Sequence, residues 1–392
     1  MTRITLIVAI ALLVSACQSG SVDAKPKAVT NNLPFKITPI ATFNEPWAMT
    51  FLPDGRALIT EKAGTMKLWE SEGPVVDVTG LPKVADKGQG GLGDVILDPK
   101  YAENGIIYLS YVIKGGGGFG AQVAKARLDL SGPKPALRDL KPIWQQHPFV
   151  EGNGHFGHRM AFGPDGYLYI SSGERQKFDP AQDLAQNLGK ILRIDVNRAN
   201  EYVTIDNPYV DEIYRRQNMM HVLRDPQGLR ARAQIWSLGH RNPLGIAFDK
   251  DGRLWEIEMG PQGGDEVNLI KKGANYGWPR ASNGTHYDGR DIPDHKAGDG
   301  FEAPKIWWNP SISPGSLMIY SGDMFPKWKG DAFIGALGGE ALIHVDLDGE
   351  NATKADQWPM GHRIREVEQG PDGAIWILED GDKGRLLKLT PK

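Results

Sequence analysis

One repeated hairpin constrains this fold more than any other feature of the sequence. An apolar strand, a turn built on Asp-Gly or a relative of it, and a second apolar strand recur along the chain. The first copy spans residues 47–61, with Asp54-Gly55 at its turn; the second joins 92–99 to 105–111. The third spans 159–172 around Asp165-Gly166, and the fourth spans 244–255 around Asp251-Gly252. A weaker fifth joins 333–337 to 341–346, and the sixth spans 367–378 around Asp372-Gly373. Asp-Gly between two apolar runs marks a tight hairpin, because glycine accepts the positive φ such turns demand. Six units over roughly 360 residues give roughly 60 residues each, somewhat more than the common propeller repeats. The 48 glycines and 27 prolines exceed average usage and fit many turns and short strands. Long helical periodicity is scarce, which argues against a βαβ architecture. Residues 34–392 therefore read as all-β, a six-bladed β-propeller with inserted loops, in which loops from different blades converge at a central channel.

The N-terminus breaks the pattern. Met1-Thr2-Arg3 is a positive lead, and Ile4 to Val14 is an apolar run too short to span a membrane comfortably. The run ends in Val14-Ser15-Ala16-Cys17, which resembles a bacterial lipoprotein signal. That resemblance implies loss of residues 1–16, a lipid on Cys17, and attachment to the periplasmic side of a bacterial membrane by an anchor rather than a span. Cys17 is the only cysteine, so no intrachain disulfide can form. Residues 17–33 are small and polar and read as a flexible tether. A net charge of −3 favours no nucleic-acid partner. Two stretches interrupt the repeat: 197–234, with a short helical pattern over 211–220, and 280–303, rich in Gly, Asp and His. Long loops in a compact domain often carry function.

The chemistry-bearing residues cluster at the starts of inner strands. Gln89 lies in a glycine-rich stretch before the second unit, and His155 lies in Gly152-Asn-Gly-His-Phe-Gly-His-Arg159 before the third. Arg241-Asn242 opens the fourth unit and Arg363-Ile364-Arg365 the sixth. In a propeller these positions share one face around the channel. Arg363 and Arg365, at i and i+2, share a strand face and repel unless an anion bridges them. His155 is the candidate general base, having a side chain that titrates near neutrality and flanking glycines that admit a ligand. The loop 260–266, Gly-Pro-Gln-Gly-Gly-Asp-Glu, offers the carbonyl and carboxylate oxygens that calcium prefers.

The motifs GQGGLGD, GHFGHRMAFGPDG, LGHRNPLGIAFD, GPQGGDEVNLI, GANYGWP and RIREVEQGPDG, in this order from about Pro46 onward, resemble the soluble quinoprotein aldose/glucose dehydrogenase family. The resemblance implies a six-bladed propeller using pyrroloquinoline quinone (PQQ) and Ca2+ to oxidise aldoses at the anomeric carbon to lactones. It implies cofactor contacts from Arg241, Asn242, Ala336-Leu337-Gly338 and Arg363-Ile364-Arg365, with Trp308 stacked on the quinone. It implies one calcium on the carbonyls of Gly260 and Pro261 and another on Glu266 and the carbonyl of Tyr276. His155 would be the base, Glu174 its orienting acid, and Gln89 and Tyr287 the sugar contacts. The partners would be an aldose and an external electron acceptor, with the chain a monomer or homodimer. Two departures stand out. Gly154 replaces the Asp of the glucose-dehydrogenase branch, implying broader aldose specificity. Gly338 replaces a cofactor-contacting Lys, for which Arg280 is a candidate substitute. Two other readings stay open: a calcium-dependent lactonase-type hydrolase, which would need a ring of Asn, Asp and Glu on one central metal, and a non-catalytic binding propeller.

Overall fold

A computed structural model describes residues 33–198, 202–210 and 226–392. The 24 strands among them form six four-stranded antiparallel sheets, numbered here as blades 1 to 6 in chain order. Their inner strands are Pro46–Phe51, Leu92–Leu97, Gly157–Phe162, Pro243–Phe248, Pro314–Ile319 and Ile364–Gln369. The predicted six-bladed propeller is therefore the observed architecture. Blade 6 is closed by the N-terminal strand Phe35–Phe43, which pairs antiparallel with the C-terminal strand Gly384–Pro391. Nothing in the repeat pattern signals that closure.

Four Asp-Gly turns share one geometry. Gly55, Gly166, Gly252 and Gly373 all have φ between 77° and 89°. In each, the glycine N–H donates three residues back, to Leu52, Gly163, Asp249 and Gly370 respectively. The fifth unit is framed differently from its reading. Residues 333–336 and 341–346 fall in the second and third strands of blade 5, Ala332–Ala336 and Ala341–Asp348, rather than the first and second, and Leu337 lies in the turn between them. The connection from the inner strand runs through 320–331 and a 3-10 turn at Pro326–Trp328, so no short Asp-Gly turn marks it.

Second strands such as Ala57–Glu61, Leu168–Ser172 and Leu254–Glu258 are buried along their whole length, because each sheet packs a blade on both faces. The apolar side chains accordingly form one cluster between each pair of neighbouring blades. The axis is polar instead. Arg159 of blade 3 donates to the carbonyls of Leu244 (2.9 Å) and Gly315 (2.6 Å) and pairs with Glu366 (2.6 Å) and Asp94 (3.4 Å). Its guanidinium also lies 4.0 Å from the Trp47 ring centre. One side chain thus touches all five other blades.

The predicted signal segment 1–16, Cys17 and nearly all of the 17–33 tether lie outside the described residues, as does the 211–220 helical pattern. Leu33, the last tether residue, is buried against blades 5 and 6. The 197–234 insertion contributes a helix, Pro226–Gln234, beside blade 3. The second inserted loop, 280–303, is tied to the 260–266 loop by an antiparallel bridge between Thr285 and Gln262.

Candidate active site

His155 precedes the inner strand of blade 3 and has φ +50°, beside Gly154 and Gly157. Its backbone N–H donates to Gln89 Oε1 (2.7 Å), and its carbonyl accepts from the N–H of Arg175 (3.2 Å). Its Nδ1 meets Glu174 Oε1 at 2.5 Å. The other carboxylate oxygen of Glu174 accepts the N–H groups of Lys177 (2.5 Å) and Phe178 (2.8 Å). With these three bonds made, Glu174 serves as an acceptor, so the imidazole proton sits on Nδ1 and the lone pair on Nε2. Nε2 has no protein partner among the described residues. Burial pushes His155 below its ordinary pKa, with Arg241 acting the same way and Glu174 opposing. Burial alone would raise Glu174, but the His155 and backbone hydrogen bonds hold its carboxyl below the usual range. The pair is therefore carboxylate and neutral imidazole near pH 7.

Arg175, which the sequence reading did not single out, fixes this segment from beneath. Its guanidinium donates to the carbonyls of Gly154 (2.9 Å), Phe119 (2.5 Å) and Gly152 (2.6 Å) and covers the Phe156 ring at 3.7 Å. An ideal Cβ on Gly154 would lie 2.7 Å from Gln176 Oε1. A side chain at position 154 would therefore meet Gln176.

Two cavities flank the segment that carries His155. One of about 250 Å³ is lined by His155, Glu174, Gln176, Arg241, Pro261, Trp278 and Tyr287. The other, about 300 Å³, lies toward the axis and is lined by Trp47, Gln89, His158, Met259, Leu337, Arg363 and Arg365. They are linked by the Gln89–His155 bond and by Arg241 Nη1 donating to the Met259 carbonyl (2.9 Å). His158 serves as a neutral wall: its Nδ1 meets Ser110 Oγ at 2.8 Å and its ring stacks 4.9 Å from Trp47. Burial and neighbouring Arg159 push its pKa down to about 3. Tyr287 is 75% exposed and its hydroxyl lies 3.4 Å from Arg241 Nη2.

The anion expected between Arg363 and Arg365 is a side chain of the protein. Asp380 accepts from Arg363 Nε and Arg365 Nε, both at 2.8 Å. The backbone N–H groups of Arg241 (2.5 Å) and Asn242 (3.2 Å) both donate to Glu258 Oε2. Arg241 Nε and both polar atoms of the Asn242 side chain are buried without a partner among the described residues. Orphaned buried donors and acceptors are costly, and here they fit a bound polar group.

Gly260 and Pro261 sit in the loop between the cavities. Asp265 holds that loop: its carboxylate accepts from Gly260 N–H (2.9 Å), Ser311 Oγ (2.6 Å) and the N–H groups of Ile312 (2.7 Å) and Ser313 (2.8 Å). Behind the loop Glu266 joins Glu256 and Glu258 in a buried nest around Asn268, whose Nδ2 lies 3.0, 3.5 and 3.5 Å from Glu256, Glu258 and Glu266. No Lys or Arg ion pair to these three acids occurs among the described residues. Burial, together with the Glu258 charge, pushes Glu256 and Glu266 well above the carboxylate range. Glu256 Oε1, Asn268 Oδ1, His240 Nδ1 and both nitrogens of His295 are orphaned. This oxygen-rich, charge-surplus set suits a hard cation. Tyr276 borders the nest by stacking on His240 at 4.7 Å.

Other predicted residues are not brought to the cavities. Trp308 lies in the outermost strand of blade 4, packed against blade 5 with Lys354 Nζ 4.9 Å from its ring centre. That position takes it away from the channel, and Trp278 is the aromatic ring that lines the His155 cavity, with the Arg241 guanidinium 5.3 Å from its centre. Ala336 and Ile364 are buried within strands. A Cβ on Gly338 would lie 2.7 Å from Ser313 Oγ, so a side chain there would require Ser313 to shift. Arg280 is exposed and lines neither cavity.

Comparison with known proteins follows the same outline. Residues 43–388 match the glucose/sorbosone dehydrogenase family. Aldose sugar dehydrogenase YliI of Escherichia coli (strain K12) is 37% identical over 359 residues, covering 89% of this chain and 91% of the relative. The crystal structure of the soluble aldose sugar dehydrogenase from Escherichia coli in the apo form superposes with a TM-score of 0.82 at 35% identity, covering 91% of this chain and all of that one. The PQQ-bound aldose sugar dehydrogenase from Streptomyces coelicolor gives 0.72 at 26% identity, covering 91% and 98%. With this match over nearly the whole propeller, the chain belongs to the glucose/sorbosone dehydrogenase family.

Proposed function

We propose that this protein oxidises aldose sugars at the anomeric carbon to lactones, with PQQ and Ca2+ bound beside His155. The observation that carries this reading is the neutral imidazole of His155, its Nε2 free at a cavity mouth and its Nδ1 on a buried carboxylate. Arg241 lines the same cavity, Arg363 and Arg365 line the neighbouring one, and the polar atoms of Asn242 are orphaned, a set suited to a planar tricarboxylate. When bound, the quinone is the hydride acceptor, and the calcium is the Lewis acid that polarises its carbonyl. The Gly260 and Pro261 carbonyls would hold that ion between the cavities, and the Glu256–Glu258–Glu266 nest beside Tyr276 would hold a second, structural one.

The chain's own residues supply the rest. His155 Nε2 accepts the proton of the anomeric hydroxyl, and Glu174 stabilises the imidazolium that forms. Arg241, Gln176 and Tyr287 line the space for the sugar. Gln89 orients the His155 backbone through its Oε1 and keeps its amide nitrogen for the substrate. With Gly154 in place of the Asp, the pocket is expected to take several aldoses. His155→Ala is expected to abolish dye reduction with aldoses while PQQ still binds; full turnover in that variant would overturn the role given to His155. The same reading puts the enzyme on the periplasmic side, anchored through Cys17. Cys17→Ala is then expected to move it from the membrane to the soluble fraction, and unchanged fractionation would overturn the anchor.

A further inference from the structure

A second constellation lies on blade 5, far from His155 in the chain and on the opposite face of the propeller. Asp331 precedes the second strand of the blade; Ala332, next to it, pairs with Ile319 at the far end of the inner strand. His344 and Asp346 lie two apart on the third strand, Ala341–Asp348, and so share a face. Asp356 is the cross-strand partner of His344 on the fourth strand, Asn351–Pro359. Active-site residues, by contrast, cluster where inner strands begin.

His344 Nε2 lies 2.9 Å from Asp331 Oδ2 and 3.5 Å from Asp346 Oδ1. The three ligand-type atoms all lie within 4.8 Å of one another. Four-coordinate zinc, with bonds of about 2.0–2.1 Å, sets neighbouring ligand atoms roughly 3.3–3.4 Å apart. The two measured separations bracket that spacing. On its other side, His344 Nδ1 lies 3.3 Å from Asp356 Oδ2. A carboxylate on the far nitrogen fixes the tautomer and leaves the near one as a ligand, the outer-shell arrangement usual for metal-bound histidine. The imidazole cannot turn away, because it stacks on Phe333 (5.0 Å, 9°) and Trp358 (5.6 Å, 12°). His344 is buried, yet the side chains of Asp346 and Asp356 are 58% and 54% exposed, so an ion can reach the open corner from solvent.

Charge points the same way. Asp331, Asp346 and Asp356 form no ion pair with any Lys or Arg among the described residues. The geometry points to a divalent transition-metal site of the zinc class, formed by His344 Nε2, Asp331 and Asp346 with water in the fourth position, stapling the second and third strands of blade 5. Neither the family resemblance nor the redox chemistry calls for it.

The test is Zn2+ titration by calorimetry of the full chain already loaded with Ca2+ and PQQ, so that the cation sites beside the cavities are filled. The wild type is compared with Asp346→Asn, which removes an exposed ligand outside the catalytic machinery, and with Asp356→Asn, which removes the partner of Nδ1. One equivalent of Zn2+ is expected to bind the wild type, at least ten-fold more weakly to Asp356→Asn, and with loss of that equivalent in Asp346→Asn. Retained sugar-dependent dye reduction shows that the variants are folded. Zinc binding that is identical in the wild type and Asp346→Asn would overturn the site. So would a His344 imidazole that stays doubly protonated, by NMR, in the presence of excess zinc. That outcome would leave His344 as a cation held by its three acids.

Discussion

At the scale of single residues, replacing Glu174 with Gln keeps a hydrogen-bond acceptor near His155 Nδ1 but removes the buried negative charge. That charge opposes the downward pull of burial and Arg241 on the His155 pKa. Without it the imidazolium formed during turnover is uncompensated, so kcat is expected to fall by about 10²–10⁴-fold with little change in KM. The sign of the pH effect follows from the same balance. A lower His155 pKa keeps Nε2 unprotonated further into acid, so the acid limb of kcat/KM moves to lower pH in Glu174→Gln. Steady-state dye reduction across the acidic range checks both effects, and an unmoved acid limb would separate Glu174 from the ionisation of His155. His155, Arg241 and Arg363 were legible because each stands at the start of an inner strand within a recognisable motif. Arg175 was not, since its three partners are backbone carbonyls, which leave no mark on a sequence. Asp380 was not, because it reaches Arg363 and Arg365 only after blade 6 has folded its second strand back beside the first. Trp308 illustrates the reverse error: an aromatic near the motifs proved to fill the seam between two blades.

Among the elements, the strand Phe35–Phe43 does most to hold the ring shut. It supplies the outer strand of blade 6, pairing from Phe35↔Pro391 to Phe43↔Gly384 with a shift between Pro39 and Ala41. Phe35 also meets Trp358 of blade 5 edge to face at 5.3 Å, so its side chain spans the junction that the strand closes. Phe35→Ala removes a ring that is 1% exposed and is expected to cost about 3–5 kcal/mol of unfolding free energy. A denaturant midpoint unchanged from the wild type would show that closure does not depend on this contact. The sequence revealed the inner hairpins because Asp-Gly turns are short and local. It concealed the closing strand, whose partner lies more than three hundred positions away, and it misframed blade 5, where a longer connection replaces the turn. Local chemistry is legible in one chain; pairing between its ends is a property of the ring.

The whole molecule has an unusual distribution of polarity, with oil between the blades and charge along the axis. Arg159 gathers Asp94 and Glu366 there, and Glu368, on the same inner strand two residues on from Glu366, senses both Asp94 and Arg159. Three acids against one guanidinium leave surplus negative charge in a poorly hydrated channel, and protons make up the difference. Burial, reinforced by Asp94, pushes Glu368 up to about 8, and burial likewise raises Asp94 and Glu366. The folded protein therefore holds a proton on Glu368 that the unfolded chain releases near the ordinary carboxylate range. Between about pH 4.5 and 8 the folded state binds more protons than the unfolded state, so this group's contribution to stability declines as pH rises and is lost above the folded pKa. Glu368 is only partly shielded from solvent although protein surrounds its carboxyl, so the decline is shallower than full burial would give. Glu368→Gln keeps the shape and cannot ionise. It is expected to flatten the fall in unfolding free energy between pH 5.5 and pH 8.5 and to make the variant the more stable of the two at the alkaline end. Denaturant titrations of both proteins at the two pH values read this directly, and parallel slopes would mean that Glu368 is already ionised in the folded ring.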